Sequence, residues 1–203
     1  MSDKFSLSGK VIVVTGGTGI LGNSFVNGIV EAGGAVGILG RNEAVAEERA
    51  AAINANGGKA IALVADVMNM GDLVAAKNKI VDAFGKVDGL VNGAGGNMPQ
   101  GVLQPEEDIF SMNLQGMKEV MELNLWGTLY PTQVFGEAIA QNGKGSIVNI
   151  SSMNSKRAIT KVLGYNIGKA AMDGDNQWGA GELANRYGGA IRMNAHAPGF
   201  FLA

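Results

Sequence analysis

The sequence predicts an α/β fold, a doubly wound parallel sheet in a single domain over residues 1–203. Short apolar runs alternate with longer segments of helical periodicity, which is typical of β–α–β units and parallel strands. The runs are apolar nearly throughout, as expected when helices cover both faces of a sheet. No Pro/Ser-rich linker divides the chain, whose 203 residues suit one domain around one substantial core.

The elements follow one another in a regular order along the chain. Six strands are predicted at 10–15, 35–40, 59–65, 87–92, 146–150 and 191–195. Helices are predicted near 19–32, 43–55, 70–84, 106–141 and 165–187. The last helix is the least regular, because residues 173–181 contain three glycines and each costs about 1 kcal/mol relative to alanine in a helix interior. Glycine is abundant throughout, at 32 of 203 residues.

The composition and charge of the chain argue against several classes of protein. The sequence contains no run of about 18 apolar residues, so it predicts no transmembrane helix. Residues 1–5 lack the apolar core of a secretory signal, so we expect a cytoplasmic protein. The chain has no cysteine and one histidine, His196, so we expect no metal site. A net charge of -2 predicts neither a nucleic-acid nor a membrane partner.

The segment TGGTGILG, residues 15–22, lies between the first strand and the first helix. Its glycines Gly17, Gly19 and Gly22 spell G-x-G-x-x-G, a turn that lets the backbone approach a pyrophosphate. The N-terminus of the following helix offers free N–H groups and a favourable dipole to the same anion. We therefore expect a dinucleotide here; the alternative is a turn that only packs the helix against the strand.

The second strand ends in Leu39-Gly40-Arg41-Asn42. An acidic residue about 20 residues beyond the glycines would hold the ribose 2′-hydroxyl of NAD, and none stands there. Arg41 is suited to pair with a 2′-phosphate instead, which favours NADP over NAD. The alternative is an exposed arginine at the start of a helix.

Tyr165 and Lys169 are spaced i and i+4, so they share one face of the predicted fifth helix. A neighbouring ammonium stabilises a phenolate, which makes a tyrosine a better acid–base group near neutral pH. Ser152 ends the adjoining strand, where its hydroxyl can bond the same reacting oxygen. Ser151 is its closest rival, but alternation along the strand places Ser151 on the opposite side.

Further motifs occur in order after the strands and within the fourth helix: Asp66-Val67, Asn92-Gly93-Ala94-Gly95, Asn124 and Pro198-Gly199. With the glycine turn, Ser152, Tyr165 and Lys169, this set resembles the short-chain dehydrogenase/reductase (SDR) family over essentially the whole chain. Gly93 departs from the family pattern, which has a second asparagine there.

The resemblance implies a Rossmann fold and an enzyme that interconverts a secondary alcohol and a ketone with NADP or NAD. It implies that Tyr165 is the general acid or base and that Ser152 holds the carbonyl. It further implies that Lys169 binds the nicotinamide ribose and that Asn124 positions a water linking Lys169 to solvent. The implied nucleotide contacts are Gly16, Gly17, Thr18, Gly19, Ile20, Leu21, Arg41, Asn42, Asp66, Val67, Asn92, Gly93, Ala94, Gly95, Tyr165, Lys169, Pro198 and Gly199.

The glycine spacing alone matches the extended branch of the family, because Ile20 stands where the compact branch has its middle glycine. The Asn92–Gly95 and Ala197–Gly199 motifs are similar to the compact single-domain branch, and we assign the chain to it. Within that branch, residues 15–22, 39–42, 92–97 and 129–135 together resemble reductases of sugar acids of the D-mannonate/fructuronate oxidoreductase type.

The family resemblance also implies a small-molecule substrate and a homo-oligomer, either a dimer or a tetramer. The chain ends soon after Gly199, where family members continue, so we expect the sheet to lack the family's usual C-terminal strand. Two other functions stay open. One is a non-catalytic nucleotide-binding regulator or scaffold, suggested by this ending and by the glycines of 173–181. The other, suggested by the glycine spelling alone, is an NAD-dependent sugar epimerase.

Overall fold

Six parallel strands form one sheet in the computed structural model, which describes residues 3–200. The strands are β1 Val11–Thr15, β2 Ala35–Gly40, β3 Lys59–Val64, β4 Gly89–Asn92, β5 Gly145–Ile150 and β6 Ile191–His196. Their order is β3-β2-β1-β4-β5-β6, and every neighbouring pair is parallel. The order reverses between β1 and β4, which opens a crevice at the carboxyl ends of these two strands.

Five helices connect the strands and cover the sheet: α1 Ile20–Glu31, α2 Glu43–Ala55, α3 Met70–Phe84, α4 Leu114–Gln141 and α5 Leu163–Tyr187. One apolar cluster joins β1 and β2 to α1 and α2 through residues such as Val14, Val26 and Ile38. A larger cluster on the other face centres on residues such as Leu63, Ile80 and Phe135. The doubly wound α/β prediction is confirmed, and all six residues of β2 are buried between the two layers.

The fourth helix is shorter than its predicted range of 106–141. It begins at Leu114 because the Asn113 side chain accepts a hydrogen bond from the amide of Gly116 and caps the helix. The preceding residues form two 3₁₀ turns, at Pro99–Gly101 and Ile109–Ser111. A Cβ at Gly116 would overlap the Gln100 carbonyl oxygen, so the first turn of α4 packs directly on the segment before it.

The fifth helix is continuous through its glycine-rich stretch, which the sequence marked as unfavourable. Gly179 has a packing reason, because a Cβ there would lie 2.7 Å from the Met193 sulfur on β6. Gly174 and Gly181 face open space, and nothing in the structure explains them. The packing of α5 on α4 and β6 therefore offsets its weak helix propensity.

Within residues 3–200, none of the helices combines the length and the apolar character that crossing a bilayer requires.

Asp88 lies just before β4, at the amino ends of the strands and opposite the crevice, where it stabilises the sheet. Its carboxylate accepts hydrogen bonds from the Val11 amide at 2.9 Å and from the Asn142 side chain at 3.1 Å. Lys86 lies 2.9 Å and Lys10 3.4 Å from its oxygens. Burial alone would raise the pKa of Asp88, but the hydrogen bonds and the two lysine charges together lower it. The ionised carboxylate therefore stabilises the fold.

Asp88→Asn is expected to lower the free energy of unfolding by about 2 kcal/mol at neutral pH, because donors that face a carboxylate would then face an amide. Urea denaturation followed by circular dichroism measures this, with the exposed Asp82→Asn as the control. Because folding depresses the pKa of Asp88, the advantage of the native protein over Asp88→Asn is complete above about pH 5 and shrinks as the pH falls further. An advantage that stays constant down to about pH 2 would contradict this role.

Candidate active site

The glycine turn after β1 leaves no room for side chains between strand and helix. Gly16 has a left-handed backbone (φ +66°), and a Cβ there would lie 2.8 Å from the Gly93 carbonyl oxygen after β4. A Cβ at Gly22 would overlap the Gly16 carbonyl oxygen. Gly19 is the N-cap of α1 and supplies no side-chain cap, so the first amides of the helix stay free for an anion.

Two polar side chains hold this turn in place: Thr15, the first residue of the turn motif, and Arg49, which lies outside every motif of the sequence. Arg49 on α2 donates from Nη1 to the carbonyl oxygens of Gly17 at 2.6 Å and Gly19 at 3.1 Å. The Thr15 hydroxyl accepts from the amides of Gly93 and Ala94, both at 3.1 Å. Arg49 thereby occupies carbonyls that would otherwise repel a phosphate, and Thr15 joins β1 to the loop after β4.

A cleft of about 310 Å³ opens beside the turn, at the carboxyl ends of β1, β2 and β4. Half of the predicted nucleotide contacts line it: Gly16, Thr18, Gly19, Arg41, Asp66, Val67, Gly93, Ala94 and Gly95. Arg41 lies 3.9 Å from Asp66 and its side chain is 80% exposed, so this ion pair is weak and the guanidinium remains accessible. The cleft, the open helix end and the glycine cradle together fit the pyrophosphate and adenosine of a dinucleotide.

The remaining predicted nucleotide contacts lie around this cleft or below it. Ile20 is exposed on the first turn of α1, and Leu21 is half-buried beside it. Asn42 caps α2 by accepting from the Val45 amide. Asn92 is buried within the sheet, where its amide donates to Thr132 and Asn149. The list is completed by Gly17, under the turn, by Pro198 and Gly199, after β6, and by Tyr165 and Lys169 on α5. These contacts stay predictions.

Lys169 is buried where α5 meets the end of β5. Its Nζ atom donates to the Ile150 carbonyl oxygen at 2.7 Å and lies 5.6 Å from the centre of the Tyr165 ring. Burial lowers the pKa of Lys169 from 10.5 to about 8, and the negative charge of Asp173 opposes that fall. The ammonium therefore lies beside the Tyr165 ring, in a buried setting that disfavours its charge.

Asn124 on α4 is fully buried and links the loop after β4 to the same region. Its amide nitrogen donates to the carbonyl oxygens of Gly96 at 2.8 Å and Val120 at 2.7 Å, and its oxygen accepts from the Gly96 amide. A Cβ at Gly95 would lie 2.7 Å from the Asn124 oxygen and 3.5 Å from Lys169 Nζ. The structure thus brings Gly95, Asn124 and Lys169 together.

Ser152 follows β5 and is buried, with its hydroxyl held by a neighbour that sequence reasoning also missed. The hydroxyl lies 3.3 Å from the Asn154 side-chain oxygen and accepts from the Asn154 amide. Asn154 donates in turn to Asn166 at 3.0 Å, and Asn166 is the residue after Tyr165 on α5. A chain of polar contacts therefore runs from Ser152 to the helix turn that carries Tyr165.

Hydroxyl, phenol and ammonium groups are thus collected at the end of the sheet where the glycine turn lies. Such a set can bind an oxygen of a small molecule and move a proton to or from it. The supporting residues to which the sequence assigned no role, Thr15, Arg49, Asn154 and Asn166 among them, contact the backbone or other side chains, and these contacts form only in the folded chain.

Residues 10–203 match the family model described as short chain dehydrogenase. The chain is 36% identical to the oxidoreductase UxuB of Bacillus subtilis, whose activity is uncharacterised, over 97% of this chain and 73% of that protein. It is 34% identical to the 2-dehydro-3-deoxy-D-gluconate 5-dehydrogenase of Dickeya dadantii, again over 97% of this chain and 73% of that protein.

A crystal structure from Haemophilus influenzae has a similar fold. That protein, provisionally named a D-mannonate oxidoreductase, was solved with bound NAD. The two chains superpose with a TM-score of 0.89 at 34% identity, over 98% of this chain and 74% of the other.

Gly22→Ala is expected to weaken NADP and NAD binding at least about tenfold, a loss of about 1.4 kcal/mol, because the added methyl group pushes the Gly16 carbonyl into the turn. Isothermal titration calorimetry on the folded variant measures this. Gly28→Ala is the matched control, since Gly28 lies in the same helix and a Cβ there meets nothing within 4 Å. Equal affinities for the two variants would show that the turn does not cradle the nucleotide.

Proposed function

The chain belongs to the short-chain dehydrogenase/reductase family and is an oxidoreductase that acts on alcohol and ketone groups, and on that premise we propose that Tyr165 moves the proton and that a sugar acid is the substrate. The observation that carries the proton-transfer part is the buried Lys169 ammonium, 5.6 Å from the centre of the Tyr165 ring. Tyr165 is the general acid in ketone reduction and the general base in alcohol oxidation.

Each catalytic side chain has a separate task at the reacting oxygen. The Ser152 hydroxyl, oriented by Asn154, donates a hydrogen bond to the carbonyl oxygen and polarises it. The Tyr165 hydroxyl gives its proton to that oxygen as the alcohol forms. The Lys169 ammonium stabilises the phenolate left on Tyr165. Asn124 fixes Gly96 and the loop beside Lys169. In the proposed mechanism it also positions a water through which the proton returns from solvent.

NADP or NAD would supply or accept the hydride when bound. The glycine turn and the start of α1 would hold its pyrophosphate, and Asp66 and Val67, which line the same cleft, would contact the adenine. Lys169 would bind the nicotinamide ribose hydroxyls as well as stabilise the phenolate.

The preference for NADP rests on Arg41. No acidic residue ends β2, and the exposed guanidinium of Arg41 lines both the nucleotide cleft and the neighbouring groove at the start of α2. Its weak pairing with Asp66 is readily exchanged for a 2′-phosphate, to which arginine binds through two parallel hydrogen bonds. The Haemophilus influenzae protein was solved with NAD, so the preference of this chain for NADP is a separate part of the proposal.

Two observations support a sugar acid as substrate. The relatives include a 2-dehydro-3-deoxy-D-gluconate dehydrogenase and a protein provisionally named for D-mannonate. In this chain the segment between Ser152 and Tyr165 carries exposed cations at Arg157 and Lys161. Exposed cations on the segment that joins Ser152 to Tyr165 suit a substrate that ends in a carboxylate.

The glycines of α5 no longer favour a non-catalytic scaffold, because the helix forms in full and carries Tyr165 and Lys169. Oligomerisation and the absence of nucleic-acid and membrane partners stay predictions.

Tyr165→Phe is expected to lower kcat at least about 100-fold, since the general acid is removed, while the Kd for NADP changes less than about twofold. Turnover is followed at the nicotinamide absorbance band with a panel of keto and hydroxy sugar acids. Tyr187→Phe, at the far end of the same helix, is the control. Activity that persists in Tyr165→Phe would refute the assignment of the general acid.

Arg41→Ala is expected to weaken NADP binding about tenfold more than NAD binding, because only NADP carries the 2′-phosphate. The two Kd values are compared by calorimetry, with Arg186→Ala on α5 as the control. If both nucleotides lose affinity equally, Arg41 does not read the 2′-phosphate.

A further inference from the structure

Asp173 is a buried carboxylate of α5 that the proposed mechanism does not use. Only 9% of the residue is exposed. One carboxylate oxygen accepts a 2.5 Å hydrogen bond from the Ser151 hydroxyl, and the other lies 2.9 Å from Lys156 Nζ. Burial raises the pKa of Asp173, but hydrogen bonds from Ser151, Ser155 and Lys156 and the charge of Lys156 lower it overall. Asp173 is therefore an anion near neutral pH.

The partners of Asp173 flank the predicted catalytic serine. Ser151 precedes Ser152, and Lys156 follows the 3₁₀ turn Met153–Ser155 that Ser152 caps. One carboxylate thus binds both ends of the segment that carries Ser152 and fixes that segment to α5. Because α5 also carries Tyr165 and Lys169, Asp173 sets the distance between the strand-end and helix parts of the site.

Asp173 also stands one helical turn after Lys169, so the two side chains lie on the same helix face. The groups around the Lys169 ammonium are the Ile150 carbonyl, the Tyr165 ring and, beyond Gly95, the Asn124 amide. None of these three carries a negative charge when Tyr165 is protonated. The negative charge that opposes the effect of burial on Lys169 is that of Asp173.

We propose that Asp173 is a positioning residue with two effects: it holds the Ser152 segment against α5, and it serves as the counter-charge that keeps the buried Lys169 ammonium protonated. The catalytic consequence rests on the proposed function, whereas the electrostatic effect is a property of the folded chain alone. Lys156, at the rim and 65% exposed in its side chain, competes for the same carboxylate and weakens its effect on Lys169.

The electrostatic effect is tested without any substrate. Lysine is labelled with ¹³C at Cε, the Lys169 signal is identified by its loss in Lys169→Arg, and its chemical shift is followed against pH. In the native chain the midpoint gives the Lys169 pKa, about 8. Asp173→Asn is expected to lower this midpoint by about one pH unit, because a nearby opposite charge is removed. The exposed Asp82→Asn is expected to leave it unchanged.

Lys156→Met tests the same effect with the opposite sign. Because the Lys156 side chain is exposed, we expect this variant to fold. Removing the competing cation is expected to raise the Lys169 midpoint by a smaller amount than Asp173→Asn lowers it. A midpoint that does not move in Asp173→Asn overturns the counter-charge role. If circular dichroism shows that Asp173→Asn does not fold, a Lys156→Met midpoint that stays fixed or falls overturns it instead.

The tethering effect is tested by Ser151→Ala, which removes the 2.5 Å hydrogen bond but keeps the charge of Asp173. We expect kcat to fall several-fold with an unchanged Kd for NADP, and the alkaline limb of the pH–rate profile to stay in place. In Asp173→Asn that limb is expected to move to lower pH together with the Lys169 midpoint. An unchanged kcat in Ser151→Ala overturns the tether.

The proposed function and the role of Asp173 can be refuted separately. A native chain that turns over none of the sugar acids while its Lys169 midpoint still follows Asp173 and Lys156 would refute the proposed substrate class and leave the counter-charge role intact. Normal turnover with a Lys169 midpoint indifferent to both variants would refute only the inference about Asp173.

Discussion

The Lys169 ammonium donates a 2.7 Å hydrogen bond to the Ile150 carbonyl, and this contact joins the end of β5 to the helix that carries Tyr165. A charge buried to this extent is tolerated only when hydrogen bonds and an opposite charge compensate for lost water. The structure meets both needs, through the Ile150 carbonyl and through Asp173 on the next turn of α5. Tyr165, one turn before Lys169 on α5, lies beside the same ammonium.

Close backbone approach is the second constraint, and it explains several of the abundant glycines. Gly168 lets α5 lie against Asn124 on α4, since a Cβ there would come within 2.9 Å of the Asn124 Cβ. Gly16 and Gly22 let β1, α1 and the loop after β4 meet at the nucleotide turn. Any added side chain at these points would separate elements whose ends form the candidate site. Packing and the geometry of the site therefore both require glycine there.

Much of this arrangement was predictable because its signals are local. Apolar runs and helical segments predicted all six strands and all five helices, and the i, i+4 spacing placed Tyr165 and Lys169 on one face. Family resemblance then supplied roles that spacing alone does not give. The start of α4 was predicted too early, because Ile109–Ser111 form a separate 3₁₀ turn and the Asn113 cap fixes the start of the helix at Leu114. The stretch 173–181 looked unfavourable because local propensity omits the packing of α5 against α4 and β6. Arg49 and Asp173 gave no signal, since their partners lie 32 and 22 residues away and only the fold brings them together.

The central claim is that Ser152 and Tyr165 act on one substrate oxygen while Lys169 stabilises the phenolate. A crystal structure with NADP and a keto sugar acid tests it most directly. The account predicts that the Ser152 Oγ and Tyr165 hydroxyl oxygen both lie within about 3.2 Å of the keto oxygen, with Lys169 still bonded to Ile150. A keto group bound elsewhere, or one that contacts Ser152 while Tyr165 points away, would contradict it.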